Sequence, residues 1–434
     1  MIDLMPMLAG ALAALTCALL GNYLVLRRES LMGDAISHAV LPGLVIAFII
    51  SGSRSPLPMF VGAAIAGMLT VAISTLVKRF GKVEAGAAMG VAFSVLFALG
   101  VLLLESSALD HVDLDADCVL NGQLETLYWL PPEGEGFRAT LASVPRQVWS
   151  LAISCALTLV FVLGLFKELR ISTFDPGLAR SAGIPSGVIH GALMVLVACA
   201  TVASFEAVGS ILVIAMLICP AATARLLTDR LSTQIALSGL IGVGSSALGY
   251  ALASWGPGVV GMENSLNASG MMTVTLGGVF ALACVFSPSH GVLVRIVRQT
   301  KLAERIALED LLGVLYRAGE GGASAPVPIE QVASVMGSPA LAGRMTRRAI
   351  DRGFAERSND DLMLTPEGHD EARRLVRRHR LWEEYLVGSA GVRADHVHPL
   401  AEILEHVVDD AGEPIEPSID ARTDPHGREI PGAK

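Results

Sequence analysis

A stretch near the C-terminus, HPLAEILEHVVDD, combines histidines and carboxylates at helical spacing. Glu402, Glu405 and His406 form the pattern E-x-x-E-H and share one face of a helix, and His398 lies one turn earlier. Mixed imidazole and carboxylate ligands favour Mn²⁺, Fe²⁺ or Zn²⁺ over Ca²⁺ or Mg²⁺. The stretch therefore predicts a transition-metal site, although a solvated charged face would also explain so many ionisable residues.

A second pair with the same spacing lies upstream, in RRHRLWEE. His379 and Glu383 are four residues apart, so a helix places both side chains on one face. Four of the ten histidines of the chain lie between residues 379 and 406. This density of imidazoles and carboxylates fits the same metal chemistry, although solvated charged faces would also explain it.

A third pair lies near the N-terminus, in GDAISHAVLPG, where a long apolar run begins. Asp34 and His38 are again four residues apart and share a helical face. Ionisable side chains at membrane depth are energetically costly and usually face a cavity or one another. The pair is either a site for a borderline divalent cation or a helix-capping Asp with a nearby interfacial His.

The composition indicates a membrane domain followed by a soluble one. The chain of 434 residues is 52% apolar, 17% charged and 5% aromatic, which is too apolar for an ordinary soluble protein. Nearly all long apolar runs lie within residues 1–290, whereas residues 300–434 are rich in Arg, Glu and Asp. We therefore predict a transmembrane domain over residues 1–292.

Nine apolar stretches approach the roughly 20 residues that a helix needs to cross a bilayer. Basic residues concentrate in alternate loops, among them Arg27, Lys78, Lys167 and Arg225, which places those loops and the C-terminal tail in the cytoplasm. We predict an all-α, polytopic protein of the cell membrane with about eight or nine spans. The nine stretches are 5–26, 36–53, 58–77, 86–104, 148–166, 186–204, 208–227, 232–254 and 269–288.

The tail divides into three predicted regions. Residues 300–368 read as helix, turn, helix and a short β-wing, the order of a winged helix-turn-helix domain. Residues 369–410 predict a helical domain that binds metal and dimerises. Residues 411–434 are rich in Pro and Gly and are predicted to be unstructured.

Four segments of the membrane domain resemble the metal-ion ABC transporter permeases, a family that imports zinc, manganese and iron. They occur in the family's order over about residues 10–290: LMGDAISHAVLPGLVIAF, HVDLD, FDPGLARSAGI and SFEAVGSILVIAMLICPAATARLLTDR. The resemblance implies a homo- or heterodimer of permease subunits, an extracytoplasmic metal-binding lipoprotein and cytoplasmic ABC ATPase subunits. This chain has no GxxxxGK[ST] loop, so we expect a transporter subunit that is not itself an enzyme.

The same resemblance assigns roles to individual residues. Asp34 and His38 become ligands of the transported metal in the pore, and His190 is a weaker pore candidate that would equally suit a packed or interfacial His. The segment FDPGLARSAGI is similar to the coupling helix that docks into the ATPase, although a polar loop helix is the simpler interpretation. The residues assigned to this helix are Phe174, Asp175, Ala179 and Gly183.

The tail resembles the diphtheria toxin repressor and manganese repressor family over about residues 304–410. The segments LTPEGHDEARRLVRRHRLWEEYLV and VHPLAEILEHVVDD carry this resemblance. Gly313 stands where manganese-type members have a carboxylate, and Glu402 stands where iron-type members have Cys, so the site is manganese-like but lacks one ligand. The implied ligands are Asp310, His379, Glu402, Glu405 and His406, with Glu383 and His398 at a secondary site.

The predicted recognition helix offers Arg344, Arg347 and Arg348 for contacts with DNA. Residues 301–434 nevertheless contain 17 Lys and Arg against 24 Asp and Glu, and this acidic balance disfavours DNA binding. A cytoplasmic metal sensor or a dimerisation element is the favoured interpretation of the tail.

The sequence thus predicts the membrane subunit of an ABC importer for manganese, iron or zinc, with a cytoplasmic metal-responsive domain. Two alternatives remain open. The chain is a membrane-tethered, metal-dependent transcription regulator, or it is an ion-coupled secondary metal transporter that needs no ATPase.

Overall fold

The chain divides into two compact units, Met1–Val294 and Arg295–Lys434. This boundary is close to the change of composition in the sequence. The HVDLD segment at 111–115 lies outside the residues that the structure describes. The structure, a computed structural model, describes residues 3–52, 56–106, 122, 124–127, 129, 143–260, 266–320, 326–407, 415–417, 419 and 421–432.

Long apolar helices dominate the first unit. Counting α2 and α3 as one, nine spans in the described residues are long and apolar enough to cross a membrane, which confirms the predicted architecture. The helices of this unit are α1 (Leu4–Leu26), α2 (Met32–Ala39), α3 (Leu41–Ser51), α4 (Pro56–Gly81), α5 (Ala85–Ser106), α6 (Arg146–Gly164), α7 (Phe166–Phe174), α8 (Pro176–Ser181), α9 (Ser186–Val208), α10 (Ser210–Leu227), α11 (Leu231–Val260) and α12 (Ala268–Phe286).

Glycines allow the membrane helices to approach one another closely. A Cβ atom on Gly21 of α1 would lie 1.8 Å from the backbone oxygen of Leu217 in α10. A Cβ atom on Gly249 of α11 would lie 2.5 Å from the Cα atom of Met272 in α12. Because neither contact leaves room for a side chain, small residues set the spacing of these helices, as membrane bundles generally require.

A break in the second span lies just after Asp34 and His38, the candidate ligands of the membrane domain. Pro42 lies in the first turn of α3, where it has no N–H to donate to the preceding turn, and α2 ends at Ala39. The span begins at Met32, four residues earlier than the predicted start at 36. Asp34, which lies just ahead of the predicted start, is therefore within α2 together with His38.

The second unit follows the helix, helix and hairpin order that the sequence predicts. The three strands among its described residues form an antiparallel sheet in the order β1-β3-β2. Leu311, Val332, Met345 and Leu362 are among the buried residues of its core. The elements are α13 (Val292–Ala318), which enters this unit at Arg295, β1 (Val327–Pro328), α14 (Ile329–Val335), α15 (Pro339–Asp351), β2 (Ala355–Ser358), β3 (Asp361–Leu364), α16 (Pro366–Gly388) and α17 (His398–Leu404).

The end of the chain contains an ordered segment where the sequence predicts none. Within residues 421–432, Thr423 and Glu429 form a β-bridge, and Ile430 is completely buried. The Asp424 carboxylate accepts two backbone N–H groups, at 2.8 and 2.9 Å. The Pro- and Gly-rich composition of 411–434 predicts disorder, but these hydrogen bonds and one buried apolar side chain stabilise a turn instead.

Candidate metal sites

The membrane pair lies on one face of α2, as its spacing predicts. Asp34 Oδ1 lies 3.4 Å from His38 Nε2, and the two side chains are 35% and 45% exposed. The His38 ring contacts Phe93 and Phe97, with ring centroids 5.8 and 6.1 Å away. The pair thus presents one carboxylate and one imidazole on an open side of the span, beside an aromatic wall.

His190 has a different environment from this pair. Its Nδ1 atom lies 2.9 Å from Nη1 of Arg27 and 3.8 Å from a carboxylate oxygen of Glu29. Glu29 is buried and also contacts the ammonium group of Lys78 at 3.3 Å. A guanidinium in contact with an imidazole disfavours a divalent cation at the same place. These contacts favour the interpretation of His190 as a packed, structural residue.

The segment that resembles a coupling helix forms a short helix of six residues, α8. The Asp175 carboxylate caps it by accepting the N–H groups of Gly177 and Leu178, both at 2.9 Å. The chain leaves the helix through Gly183, whose φ of 75° is easily adopted only by glycine. Leu178 of α8 is 57% exposed while Ala179 is fully buried, so α8 has an outward apolar side chain and a buried inner face. Phe174, which is 59% exposed, is the last residue of the preceding helix α7.

In the tail, His379, Glu383 and His398 form the first candidate cluster, with one ligand atom from each lying within 4.8 Å of the others. His379 Nε2 lies 3.0 Å from His398 Nδ1 and 3.4 Å from Glu383 Oε1. The other ring nitrogen, Nδ1, donates to Glu405 Oε2 at 2.6 Å. Metal-binding histidines commonly have this arrangement, with one nitrogen facing the ligands and the other held by a carboxylate.

Asp310, Glu405 and His406 form the second candidate cluster. His406 Nε2 lies 3.2 Å from Asp310 Oδ1 and 3.5 Å from Glu405 Oε1. His406 Nδ1 donates to Glu309 Oε2 at 2.5 Å. Both clusters therefore combine imidazole nitrogen with carboxylate oxygen, the ligand set that suits Mn²⁺, Fe²⁺ or Zn²⁺.

Burial and hydrogen bonding act in opposite directions on these groups. Burial alone would lower the pKa of His379, but hydrogen bonds to Glu383 and Glu405 outweigh it and raise the pKa to about 9. Burial likewise opposes Asp310 and Glu309, which raise the pKa of His406 to about 9. Both imidazoles are therefore protonated at neutral pH without metal, and a bound metal ion must displace a proton from each.

The pKa of Glu383 is lowered rather than raised, because its hydrogen-bond partners are histidines. Burial would raise the pKa of its carboxyl group, but hydrogen bonds from His379 and His398 lower that pKa to about 2. The side chain is only 3% exposed and stays ionised across the physiological range. Glu383 thus offers an ionised carboxylate to a metal ion, which replaces the proton of His379 as the positive charge beside it.

Glu402 and Gly313 do not lie where the resemblance to the repressor family implies. Glu402 is exposed and belongs to neither cluster among the residues that the structure describes. Gly313 is buried, and a Cβ atom there would contact Leu375 at 3.5 Å. The additional carboxylate of this region comes from Glu309, one helical turn before Gly313, which the sequence reasoning missed. The only hint of Glu309 in the sequence is that this carboxylate stands beside the apolar positions that α13 buries.

The three arginines considered for contacts with DNA differ in exposure and in ion pairing. Arg344 and Arg347 lie exposed on α15. Arg348 is only partly exposed and pairs with Glu304 of α13. Two exposed arginines on an acidic unit provide a weak electrostatic surface for nucleic acid.

Comparison with known proteins agrees with this division into two parts. Residues 3–128 and 137–287 match the ABC 3 transport family. Residues 365–432 match the iron dependent repressor, metal binding and dimerisation domain, and this match includes the ordered turn near the end of the chain.

Curated relatives and a solved structure extend the first match. The manganese transport system membrane protein MntD of Bacillus subtilis is 39% identical over 69% of this chain and 96% of its own length. The zinc transport system membrane protein TroD of Treponema pallidum is 37% identical over 83% and 95%.

The solved structure of PsaBC from Streptococcus pneumoniae in complex with Fab covers 68% of this chain and 94% of its own chain, at 29% identity and a TM-score of 0.54. The nine candidate spans of the described residues agree with these matches. The chain therefore belongs to the ABC 3 transport family, as the multi-pass membrane permease subunit of a divalent-metal transporter, and it carries a repressor-like domain at its C-terminus.

Proposed function

We propose that Asp34 and His38 bind the transported Mn²⁺, Fe²⁺ or Zn²⁺ on its path through the membrane. The observation that supports this is a carboxylate and an imidazole 3.4 Å apart, half-exposed on one face of a membrane span. Since an unpaired carboxylate at this depth is costly, the pair is better explained by a cation that it binds than by packing.

Two ligands from one chain leave a divalent cation with open coordination positions. A second permease subunit would supply an equivalent pair across a two-fold axis, which explains why the Asp34 and His38 side chains are half-exposed in a single copy. The transported metal would arrive from an extracytoplasmic metal-binding lipoprotein. ABC ATPase subunits in the cytoplasm would provide the energy, since this chain lacks a GxxxxGK[ST] loop.

In the proposed mechanism, α8 transmits movement of the ATPase to the membrane helices. Its exposed Leu178 and the exposed Phe174 at the end of α7 are available to dock into a partner, and the buried Ala179 anchors α8 on the permease. Closure of the ATPase dimer on ATP would shift α8 and alternate the access of the Asp34 and His38 pair between the two sides of the membrane.

The test is transport of Mn²⁺ and Zn²⁺ into proteoliposomes that contain the assembled transporter. We expect Asp34→Asn and His38→Ala each to abolish uptake, because the first removes the negative charge of the carboxylate and the second removes the imidazole. Ser37→Ala is the matched control on the same helix, since the Ser37 hydroxyl only donates to backbone oxygens of Gly33 and Asp34. Full uptake by Asp34→Asn would refute the proposed pore site.

We further propose that the tail senses cytoplasmic metal and slows transport when metal is abundant. Two clusters with transition-metal ligand sets support this, both in the unit that follows the last span. Occupied clusters would hold α13, α16 and α17 together, because their ligands come from all three helices and from the two residues that follow α17. The transcriptional alternative has less support, because Arg348 is paired and the unit is acidic.

A further inference from the structure

The first turns of α13 form an exposed segment that the two metal functions do not use. Five residues separate the end of the last span, Phe286, from the start of α13 at Val292. Residues 295–303 are all exposed in the structure, so no described part of the chain covers this segment. This short connection keeps the segment near the point where the last candidate span ends.

One face of this segment is apolar. The apolar side chains at positions i, i+1, i+4 and i+5 lie next to one another on the helix surface; they are Val292, Leu293, Ile296 and Val297. Their side chains are 53%, 45%, 50% and 48% exposed. Large aliphatic side chains clustered on one face, outside a span, mark a surface that contacts another apolar phase.

The opposite face is basic. Arg295, Arg298 and Lys301 lie at intervals of three residues and are exposed. Residues 287–303 contain no Asp or Glu, and the first acidic side chain is that of Glu304. Three cations within seven residues exclude this segment from the hydrocarbon core, and together they match a negatively charged surface.

From this juxtaposition we infer that residues 292–301 form an interfacial helix that binds anionic lipid headgroups. The apolar face inserts at the boundary between headgroups and acyl chains, and the basic face binds lipid phosphates. A protein surface is a weaker explanation, because the segment follows the span so closely that the bilayer is its nearest apolar neighbour. This inference does not depend on the proposed pore site or on metal sensing.

The inferred contact gives α13 two kinds of ligand. Its first turns bind lipid, whereas Asp310, two to three turns further on, belongs to the second metal cluster, and the neighbouring Glu309 holds His406 of that cluster. Anionic lipid therefore restrains the same helix that provides carboxylates to the tail site.

The test is electron paramagnetic resonance on the full chain in nanodiscs that hold one copy. A nitroxide is attached at Val297→Cys on the apolar face, in a background without the native cysteines. Leu302→Cys is the matched control, because it lies five residues further on, about 140° around the helix, and removes no charge. Accessibility to oxygen and to a water-soluble nickel complex is compared in phosphatidylcholine and in mixtures with roughly one third phosphatidylglycerol.

In the anionic nanodiscs we expect the label at 297 to be accessible to oxygen and shielded from nickel, and the label at 302 to show the reverse. The combined variant Arg295→Gln, Arg298→Gln and Lys301→Gln should lose the dependence on phosphatidylglycerol. Equal nickel accessibility at 297 and 302 would overturn the inference. Shielding of 297 that develops only when ATPase subunits or a second permease copy are added would also overturn it, in favour of a protein partner.

Discussion

At the scale of single residues, the second cluster depends on Glu309, a carboxylate that is not one of its three candidate ligands. Glu309 accepts the Nδ1 hydrogen of His406, which directs Nε2 of that ring toward Asp310 and Glu405. Burial would raise the pKa of Glu309, but hydrogen bonds from His406 and Arg305 keep it below its usual value. Glu309 is thus a charged orienting group for the second cluster.

We therefore predict that Glu309→Gln weakens Mn²⁺ binding at the second cluster by roughly 10- to 100-fold, the usual cost of losing such an orienting partner. Titration calorimetry on the full chain in nanodiscs measures the affinity. Glu304→Gln is the control, because Glu304 lies on the same helix and pairs with Arg348 outside the cluster. An unchanged affinity in Glu309→Gln would show that His406 needs no such support.

A second residue-scale prediction concerns protons. His379 and His406 both have a pKa of about 9 without metal, so each carries a proton that a metal ion must displace. Filling both clusters at pH 7 should release about two protons per chain. Metal affinity should rise with pH and level off above about 9, where the imidazoles are already neutral. Calorimetry in buffers of different ionisation enthalpy counts the protons, and a pH-independent affinity would contradict the prediction.

At the scale of elements, α8 depends on one capping side chain. Asp175 accepts the first two free N–H groups of this six-residue helix. Asp175→Ala removes the cap and should destabilise the helix by about 1 kcal/mol, whereas Asp175→Asn preserves it. We expect Asp175→Ala to lower the ratio of metal transported to ATP hydrolysed in the assembled transporter. If Asn and Ala lower this ratio equally, the charge of Asp175 matters rather than its cap.

The elements also show what sequence can and cannot predict. The nine spans were predictable because apolar length alone decides whether a helix crosses a bilayer. The start of α8 was predictable because Asp175 and Pro176 form a local capping signal. The role of Glu309 was not, because it depends on packing of α13 against a histidine 97 residues away. The ordered turn at 421–432 depends in the same way on burial of Ile430, which composition cannot reveal.

At the scale of the whole molecule, the transport pathway and the tail should be separable by point mutations. His398→Ala combined with His406→Ala removes one ligand from each cluster and leaves the membrane unit unchanged. We expect wild-type uptake to slow as Mn²⁺ inside proteoliposomes rises, and the double variant to keep its initial rate. His396→Ala is the control, since His396 is exposed and contacts Asp395 outside both clusters. Identical Mn²⁺ dependence in all three proteins would end the feedback proposal.

Glu405 has a consequence for how sharply the tail responds. Its Oε2 atom holds His379 in the first cluster, while its Oε1 atom is a candidate ligand in the second. A metal ion at either cluster fixes this carboxylate and so prepares the other cluster for binding, and by linkage the effect is mutual. The occupied state should therefore appear over a narrower range of metal concentration than two independent sites allow, so that the tail acts as a threshold device rather than a graded one.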